Sequence, residues 1–317
     1  LRVSERGARH ARNPLEVAAT DQAVACGARQ YVGRFAPSPT GPLHFGSLVA
    51  AMASYADARA AGGRWLLRIE DVDQPRCSAE AEARIHAQLA AYGFEHDGEV
   101  VRQSERTALY ASALQTLIST GKVFVCQCTR AQLASAPRNA EHEMIYPGTC
   151  RELGLPDTSA RAVRLRVDVN NTHVSFTDRS HGITEQNVAR EVGDFVLRRA
   201  DGLFAYQLAV VVDDALQGIT DVVRGADLLG NTARQIVLQR RLHYATPSYL
   251  HVPLVRNANG EKLSKQTRAT AIDERLALPT LLQAWQFLRQ DNLGDVRTVA
   301  EFWTRAFVAW TPSRLVR

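Results

Sequence analysis

Arg34 to Ser47 reads RFAPSPTGPLHFGS and follows a short apolar opening at Tyr31-Val32-Gly33. Pro37, Pro39, Gly41 and Pro42 make a tight loop, and His44 and Gly46 stand where an alanine-rich, helix-compatible run begins. Strand, loop and helix start in that order aim unpaired backbone N–H groups and the positive end of a helix dipole into the loop, which suits a phosphate. The plainer alternative is a proline-rich surface turn. The basic residues number 38, yet only three are lysines, and two of those, Lys262 and Lys265, share the pentapeptide KLSKQ. Where arginine serves every ordinary need for positive charge, a lysine pair marks a place that needs a compact ammonium, as a phosphate site does. A nucleotide is the ligand that loop and lysines together predict. Cys126-x-Cys128, followed by His142, Tyr146 and Cys150, could close one small tetrahedral site suited to structural zinc. Ligand chemistry alone favours His142 as its fourth member, because imidazole is far commoner than phenolate. Three unrelated buried thiols are the alternative.

The elements that must position these groups follow from pattern. Tyr31 to Phe35 predicts a strand, Gly46 to Ala61 a helix closed by Gly62-Gly63, and Arg64 to Asp71 a mostly apolar second strand. Such a βαβ unit binds ligands beyond the carboxyl ends of its strands, where Arg34 and the Glu70-Asp71 pair fall. Glu70, Asp71 and Asp73 have a second reading as acidic caps of a helix over Ser78 to Tyr92. A helix over Arg106 to Thr120 precedes a turn-rich insertion at about 122–192, which holds the cysteines. In it Val163-Arg-Leu-Arg-Val167 predicts a strand with an arginine-bearing face, either a solvated edge or a nucleic-acid contact. Leu203 to Val212 is the longest apolar run and predicts a central strand ending at Asp213-Asp214. A strand over Ile219 to Val223 puts Arg224 at the same sheet edge as Arg34 and Glu70. A helix over Asn231 to His243 and a strand over Leu250 to Arg256 lead to the lysine loop. Trp285, Phe287, Trp303 and Trp310 are expected core anchors of a short helical region at 268–317. Residues 1–29, rich in arginine and in breakers, are expected to be an extension, possible as a basic arm.

A chain of 317 residues with a net charge of +5 and a pI near 9.1 permits contact with a polyanion without demanding it. No apolar run is long enough to cross a bilayer and no secretory signal is visible, so a cytoplasmic protein without membrane attachment is expected. Five cysteines, an odd number, favour a reducing compartment over a disulfide framework.

In order, the loop, RIED, VVVDD, VRG and KLSK strings resemble the class I aminoacyl-tRNA synthetases, and within them the glutamyl branch, over residues 31 to about 268. His44-Phe-Gly-Ser47 occupies that class's HIGH signature and Lys262-Leu-Ser-Lys-Gln266 its KMSKS signature; Ser47 and Gln266 depart from the consensus. The resemblance implies an α/β, Rossmann-like catalytic core over 30–267 with a parallel sheet, a small zinc-containing insertion and the short helical C-terminal region. The stretch after the lysine loop is too short for a large helical anticodon-binding portion, and in this the chain resembles the shortened glutamyl-Q tRNA(Asp) synthetase family. That family's implied activity is ATP-dependent activation of glutamate without tRNA, with Mg2+ accompanying ATP, then transfer to queuosine in the anticodon loop of tRNA(Asp). By the resemblance His44 and Lys265 are catalytic, and His44, Gly46, Lys262 and Lys265 bind ATP. Arg34, Phe35, Ala36, Pro37, Ser38, Glu70, Tyr206 and Arg224 bind glutamate. Cys126, Cys128, Tyr146 and Cys150 hold zinc, which sets Tyr146 against the ligand-type preference for His142. Which arginine takes which carboxylate is open, and a monomer is expected. The rivals are a truncated glutamyl-tRNA synthetase charging a 3′ end and a non-catalytic RNA-binding paralogue.

Overall fold

Short apolar runs alternate with helical ones through most of this chain, and the alternation builds a parallel sheet with helices packed on it. The computed structural model describes residues 30–139, 142–158, 160–168, 172–257, 263 and 270–316. The expected extension at 1–29, Lys262 and Lys265 lie outside the described residues.

Strand β1 (Val32–Phe35), helix α1 (Phe45–Ala60) and strand β2 (Arg64–Ile69) form the predicted βαβ unit, with β1 and β2 parallel from Val32↔Arg64 to Phe35↔Leu67. Alanines let α1 bury on nearly every side, between β1, β2 and the strand at Asp221–Gly225 on one flank and the C-terminal helices on the other. Its end is sealed at Gly62, whose φ of +64° any Cβ would strain, while Gly63 N–H donates to the Ala58 carbonyl at 2.8 Å. Helix α2 (Ala79–Ala91) starts on the side chain of Ser78, which accepts from Ala81 N–H. The cap is therefore Ser78 and not Asp73. Asp71 instead takes the backbone N–H and hydroxyl of Ser104, just beyond strand β3 (Val101–Arg102), which adds to β2.

Helix α3 (Thr107–Ser119) leads into β4 (Val123–Cys126), which pairs antiparallel with β5 (Ala162–Leu165). Between β5 and its other neighbour the chain makes a hairpin, β6 (His173–Asp178) and β7 (Gly182–Asn187), followed by a single turn, α4 (Val188–Glu191). The hairpin does not stay with the cysteine-bearing sheet. β6 lies parallel to β10 (Ser248–Val252), which in turn pairs with β9 (Asp221–Gly225), giving the order β7-β6-β10-β9; β8 (Val196–Arg198) then closes the order β4-β5-β8.

The run from Leu203 to Val212 is not a strand. It opens helix α5 (Tyr206–Leu216), which packs on α3 and on helix α6 (Leu229–Arg241). β-branched valines mislead here because burial on all sides favours them in a helix as readily as in a sheet. Helices α7 (Ala277–Phe287) and α8 (Val299–Ala309) cover α1, and Trp285, Trp303 and Trp310 are 3, 5 and 8% exposed, with Phe287 packed at the edge of that core. Trp310 Nε1 donates to Asp57 at 2.8 Å, and Arg179 and Tyr31 complete the partners of that buried carboxylate. Among the described residues no helix is long and apolar enough to cross a membrane.

Candidate active site and metal centre

At the carboxyl ends of β1, β2 and β9 a cavity of about 580 Å³ opens. It is lined by Arg34, Phe35, Ala36, Pro37, Ser38, His44, Gly46, Glu70, Tyr206 and Arg224, so every described residue assigned above to glutamate or ATP meets in one place. Leu263, between the two lysines, lines the same cavity.

Helix α5 supplies the ground on which the charged groups stand. Asp214 lies on it, and Arg34 grips that carboxylate as a fork, Nε to Oδ1 at 3.1 Å and Nη2 to Oδ2 at 3.4 Å. Arg68, fully buried in β2, donates from Nη2 to the same Oδ1 at 2.7 Å and to Glu70 at 3.4 Å, and from Nη1 to Gln217 at 2.7 Å. The neighbouring Asp213 is answered by Gln103, Arg106 and Tyr110. Burial would lift the Asp214 pKa, but Arg34 and Arg68 override it and hold the group below the usual aspartate value. For Glu70 burial prevails over the pull of Arg68 and Arg34, and its pKa lies above the usual range. Tyr206 begins α5, and its phenol is pushed up by burial and then by Glu70.

Arg34 and Arg224 line the cavity with Glu70, and behind them Arg68 bridges Glu70 and Asp214, with Asp213 3.9 Å from its Nε. A buried acid beside an arginine fork suits a ligand with an ammonium at one end and carboxylate charge in excess. Across the cavity, His44 caps α1, its Nδ1 accepting from Ser47 N–H at 3.3 Å. The first turn of α1 holds no acidic residue, as an anion site requires. A Cβ on Gly46 would come within 3.2 Å of the His44 ring and 3.7 Å of the Leu263 carbonyl, filling the approach to the helix backbone.

Sequence reasoning missed Arg68, Asp214 and Gln217. The signal was present: Tyr206 with Asp213, and Asp214 with Gln217, stand at helical spacings that share a face once 206–216 is read as a helix.

The cysteine cluster lies apart, on the β4-β5-β8 sheet. The Sγ atoms of Cys126, Cys128 and Cys150 fall within 4.8 Å of one another. The Tyr146 hydroxyl sits 3.4 Å from Cys126 Sγ and 3.6 Å from Cys128 Sγ, and accepts from Cys150 N–H at 2.8 Å. Zinc–thiolate bonds of about 2.3 Å put tetrahedral ligand atoms roughly 3.7 Å apart, so the three thiols and the phenol have the composition of a zinc site and spacings close to it. His142 is not among the clustered groups; its backbone is turned to φ +61° and bonded to Asn139 and Arg138. Arg164, expected on a solvated or nucleic-acid-facing edge, is instead 6% exposed, with its guanidinium carbon 3.9 Å from the Tyr146 ring centre. Its charge serves the cluster by a cation–π contact.

A second cavity, of about 910 Å³, adjoins the first through Ser38, Thr40, Glu70, Arg76 and Tyr206, and its other walls include Phe204, Arg130, Leu133 and Met144.

Residues 30–293 match the family described as tRNA synthetases class I (E and Q), catalytic domain. The glutamyl-Q tRNA(Asp) synthetase of Thiobacillus denitrificans is 60% identical over 282 residues, covering 88% of this chain and 93% of its own length. The protein so named from a Janthinobacterium species is 52% identical over 286 residues, 89 and 97% of the two chains. A glutamate tRNA ligase of Elizabethkingia meningosepticum, solved in complex with its amino acid, superposes with a TM-score of 0.73 at 23% identity. That match takes in 91% of this chain but 66% of the ligase, and it concerns the fold alone.

Proposed function

Because the chain belongs to the glutamyl-Q tRNA(Asp) synthetase family, a ligase family of the class I tRNA synthetases, we propose that it activates L-glutamate with ATP in the absence of tRNA and transfers it to queuosine in the anticodon loop of tRNA(Asp). The observation that carries this reading is the cavity in which Arg34, Arg224 and Tyr206 meet the buried carboxyl of Glu70, groups that match the two carboxylates and the ammonium of glutamate.

In the first step an oxygen of the α-carboxylate attacks the α-phosphorus of ATP, the bond to the bridging oxygen breaks, and pyrophosphate leaves with that electron pair. Positioning and charge stabilisation are the protein's share. Glu70 takes the ammonium, Arg34 and Arg224 the carboxylates, and Tyr206 donates a hydrogen bond. His44, Gly46 and the start of α1 receive the nucleotide with its Mg2+, together with Lys262 and Lys265. In the second step a hydroxyl of the queuosine ring attacks the activated carbonyl, the bond from that carbon to the phosphate oxygen breaks, and an ester forms as AMP leaves with the bonding pair and the hydroxyl proton is released. The second cavity supports this step, since a base splayed from a loop could stack near Phe204 while its hydroxyl reaches the first cavity past Glu70 and Tyr206. Cys126, Cys128, Cys150 and Tyr146 would hold zinc, whose part is structural.

The test is ATP–pyrophosphate exchange without tRNA. Glutamate should support it, and glutamine should fall by about 10⁴-fold in kcat/KM, because an amide leaves buried charged donors unpaired. Exchange that starts only when tRNA is added, or that accepts glutamine equally, would contradict the proposal.

A further inference from the structure

Arg224 makes four hydrogen bonds inside the protein. Nε donates to Nε2 of His251 at 3.0 Å, Nη1 to Gln235 at 2.9 Å, and Nη2 to the Thr232 hydroxyl at 2.9 Å and the Leu228 carbonyl at 3.3 Å. A guanidinium has five N–H groups, so one, on Nη1, is left for a ligand. The geometry of that single bond therefore depends on what grips the other four.

His251 is the unusual member. An arginine Nε can only donate, so Nε2 of His251 accepts, and the imidazole proton belongs on Nδ1. Asp178 receives it, Nδ1 to Oδ2 at 2.6 Å. Its other oxygen is held by Ser180 N–H at 3.0 Å, the Ser180 hydroxyl at 2.8 Å and His181 N–H at 3.1 Å. His251 and Asp178 are 0 and 1% exposed. The groups around the imidazole are Arg224, Thr232, Asp178, His181 and the Tyr249 ring. Burial and Arg224 keep His251 below its ordinary pKa against the pull of Asp178, in keeping with a neutral acceptor. Two apolar residues here would fill the space between β6, β9 and β10 without the desolvation that a buried histidine–carboxylate pair costs. What they could not supply is a fixed acceptor for a cation.

We propose that Asp178 and His251 are positioning residues for amino-acid binding: the carboxylate fixes the imidazole as an Nε2 acceptor, and the imidazole aims the one remaining Arg224 N–H at a carboxylate of glutamate. This rests on the reading that Arg224 contacts the substrate. The hairpin carrying Asp178 thus reaches the active site through two side chains while touching no substrate itself.

The variants are His251→Met, which removes the acceptor, His251→Gln, whose amide oxygen restores one near Nε2, and Asp178→Asn, which frees the imidazole to carry its proton on Nε2. Each is assayed for glutamate Kd by calorimetry, for the KM of glutamate and of ATP in pyrophosphate exchange, and for its unfolding midpoint. His251→Met should weaken glutamate binding about 10- to 100-fold, the usual consequence of a charged donor losing its partner. The ATP KM should stay within about twofold, His251→Gln should recover most of the loss, and Asp178→Asn should fall between. An unchanged glutamate Kd in His251→Met, or equal rises in the two KM values in all three variants, would overturn the proposal. If His251→Met does not fold, Asp178→Asn decides alone, and unaltered glutamate binding there is the contrary result. Wild-type protein that binds glutamate but transfers none would defeat the proposed function and leave this inference standing; wild-type protein that binds no glutamate would defeat both.

Discussion

Two cations of the site converge on one carboxylate, Asp214, with Arg34 on both oxygens and Arg68 on one. Arg68 in turn steadies Glu70, so Asp214 sets the spacing between the acid and the arginine that would flank an amino acid. Asp214→Asn keeps the shape and removes the charge. Loss of one partner from a buried ion pair costs about 3 kcal/mol or more, so unfolding in urea should shift by that order and the glutamate KM should rise steeply. The acid limb should change as well. Asp214 has its pKa depressed by folding, so its stabilisation is present above the unfolded value of about 3.9 and lost as pH falls through the lower folded one. The variant should show less loss of stability across that window; an identical acid limb would contradict the role given to Asp214. Residues of this scale were legible where their type was informative beside a strand end: Arg34, Glu70 and Arg224 could be placed at carboxyl ends of strands from order alone, although β9 pairs in a different sheet from β1 and β2 and the expected single edge is not observed. Helical spacing could have placed Asp214 with Gln217, but the bond from Arg68 could not be read, because 146 residues separate it from Asp214 and no local pattern announces a contact made by tertiary folding.

At the scale of elements, α5 is the instructive case. Read as a strand, 203–212 would have ended in Asp213-Asp214 as loose charges at a sheet edge; as a helix it turns both into the buried core of a polar network. The βαβ unit and the tryptophan-anchored C-terminal helices were legible because caps, glycine stops and apolar period agree with tertiary packing there. The route of the β6–β7 hairpin was not, since leaving one sheet for another depends on which edge is open. Arg164 was misplaced for a related reason: alternation along β5 gives two faces but does not say which is covered. The β4-β5-β8 sheet is small, and its cysteine-rich side is covered by a cluster of few residues around Phe124, Cys126, Leu133, Tyr146 and Cys150. Metal would therefore do much of the work of a core there. Purified protein should carry about one zinc per chain. Its removal by a strong chelator should open 126–150 to limited proteolysis, while glutamate-dependent exchange falls less than transfer to tRNA. Protein free of zinc with the same cleavage pattern would contradict the metal assignment.

For the whole molecule, a mild positive charge permits an RNA partner but selects none, and two cavities share a wall at Ser38, Thr40, Glu70, Arg76 and Tyr206. One cavity gathers Arg34, Arg224 and buried Glu70 beside the start of α1. The other adjoins it past Glu70 and Tyr206, between the carboxyl ends of β1 and β2 and the cysteine-bearing sheet. Membership of the family narrows the chemistry to a glutamyl ligase, and the acceptor remains the claim on which the account turns. The direct measurement is transfer of labelled glutamate to tRNA(Asp) prepared with and without queuosine, followed by nuclease digestion to locate the label. Label confined to the anticodon-loop fragment of the queuosine-bearing tRNA is the predicted result. Equal labelling of both tRNAs, or label on the 3′-terminal adenosine, would contradict it.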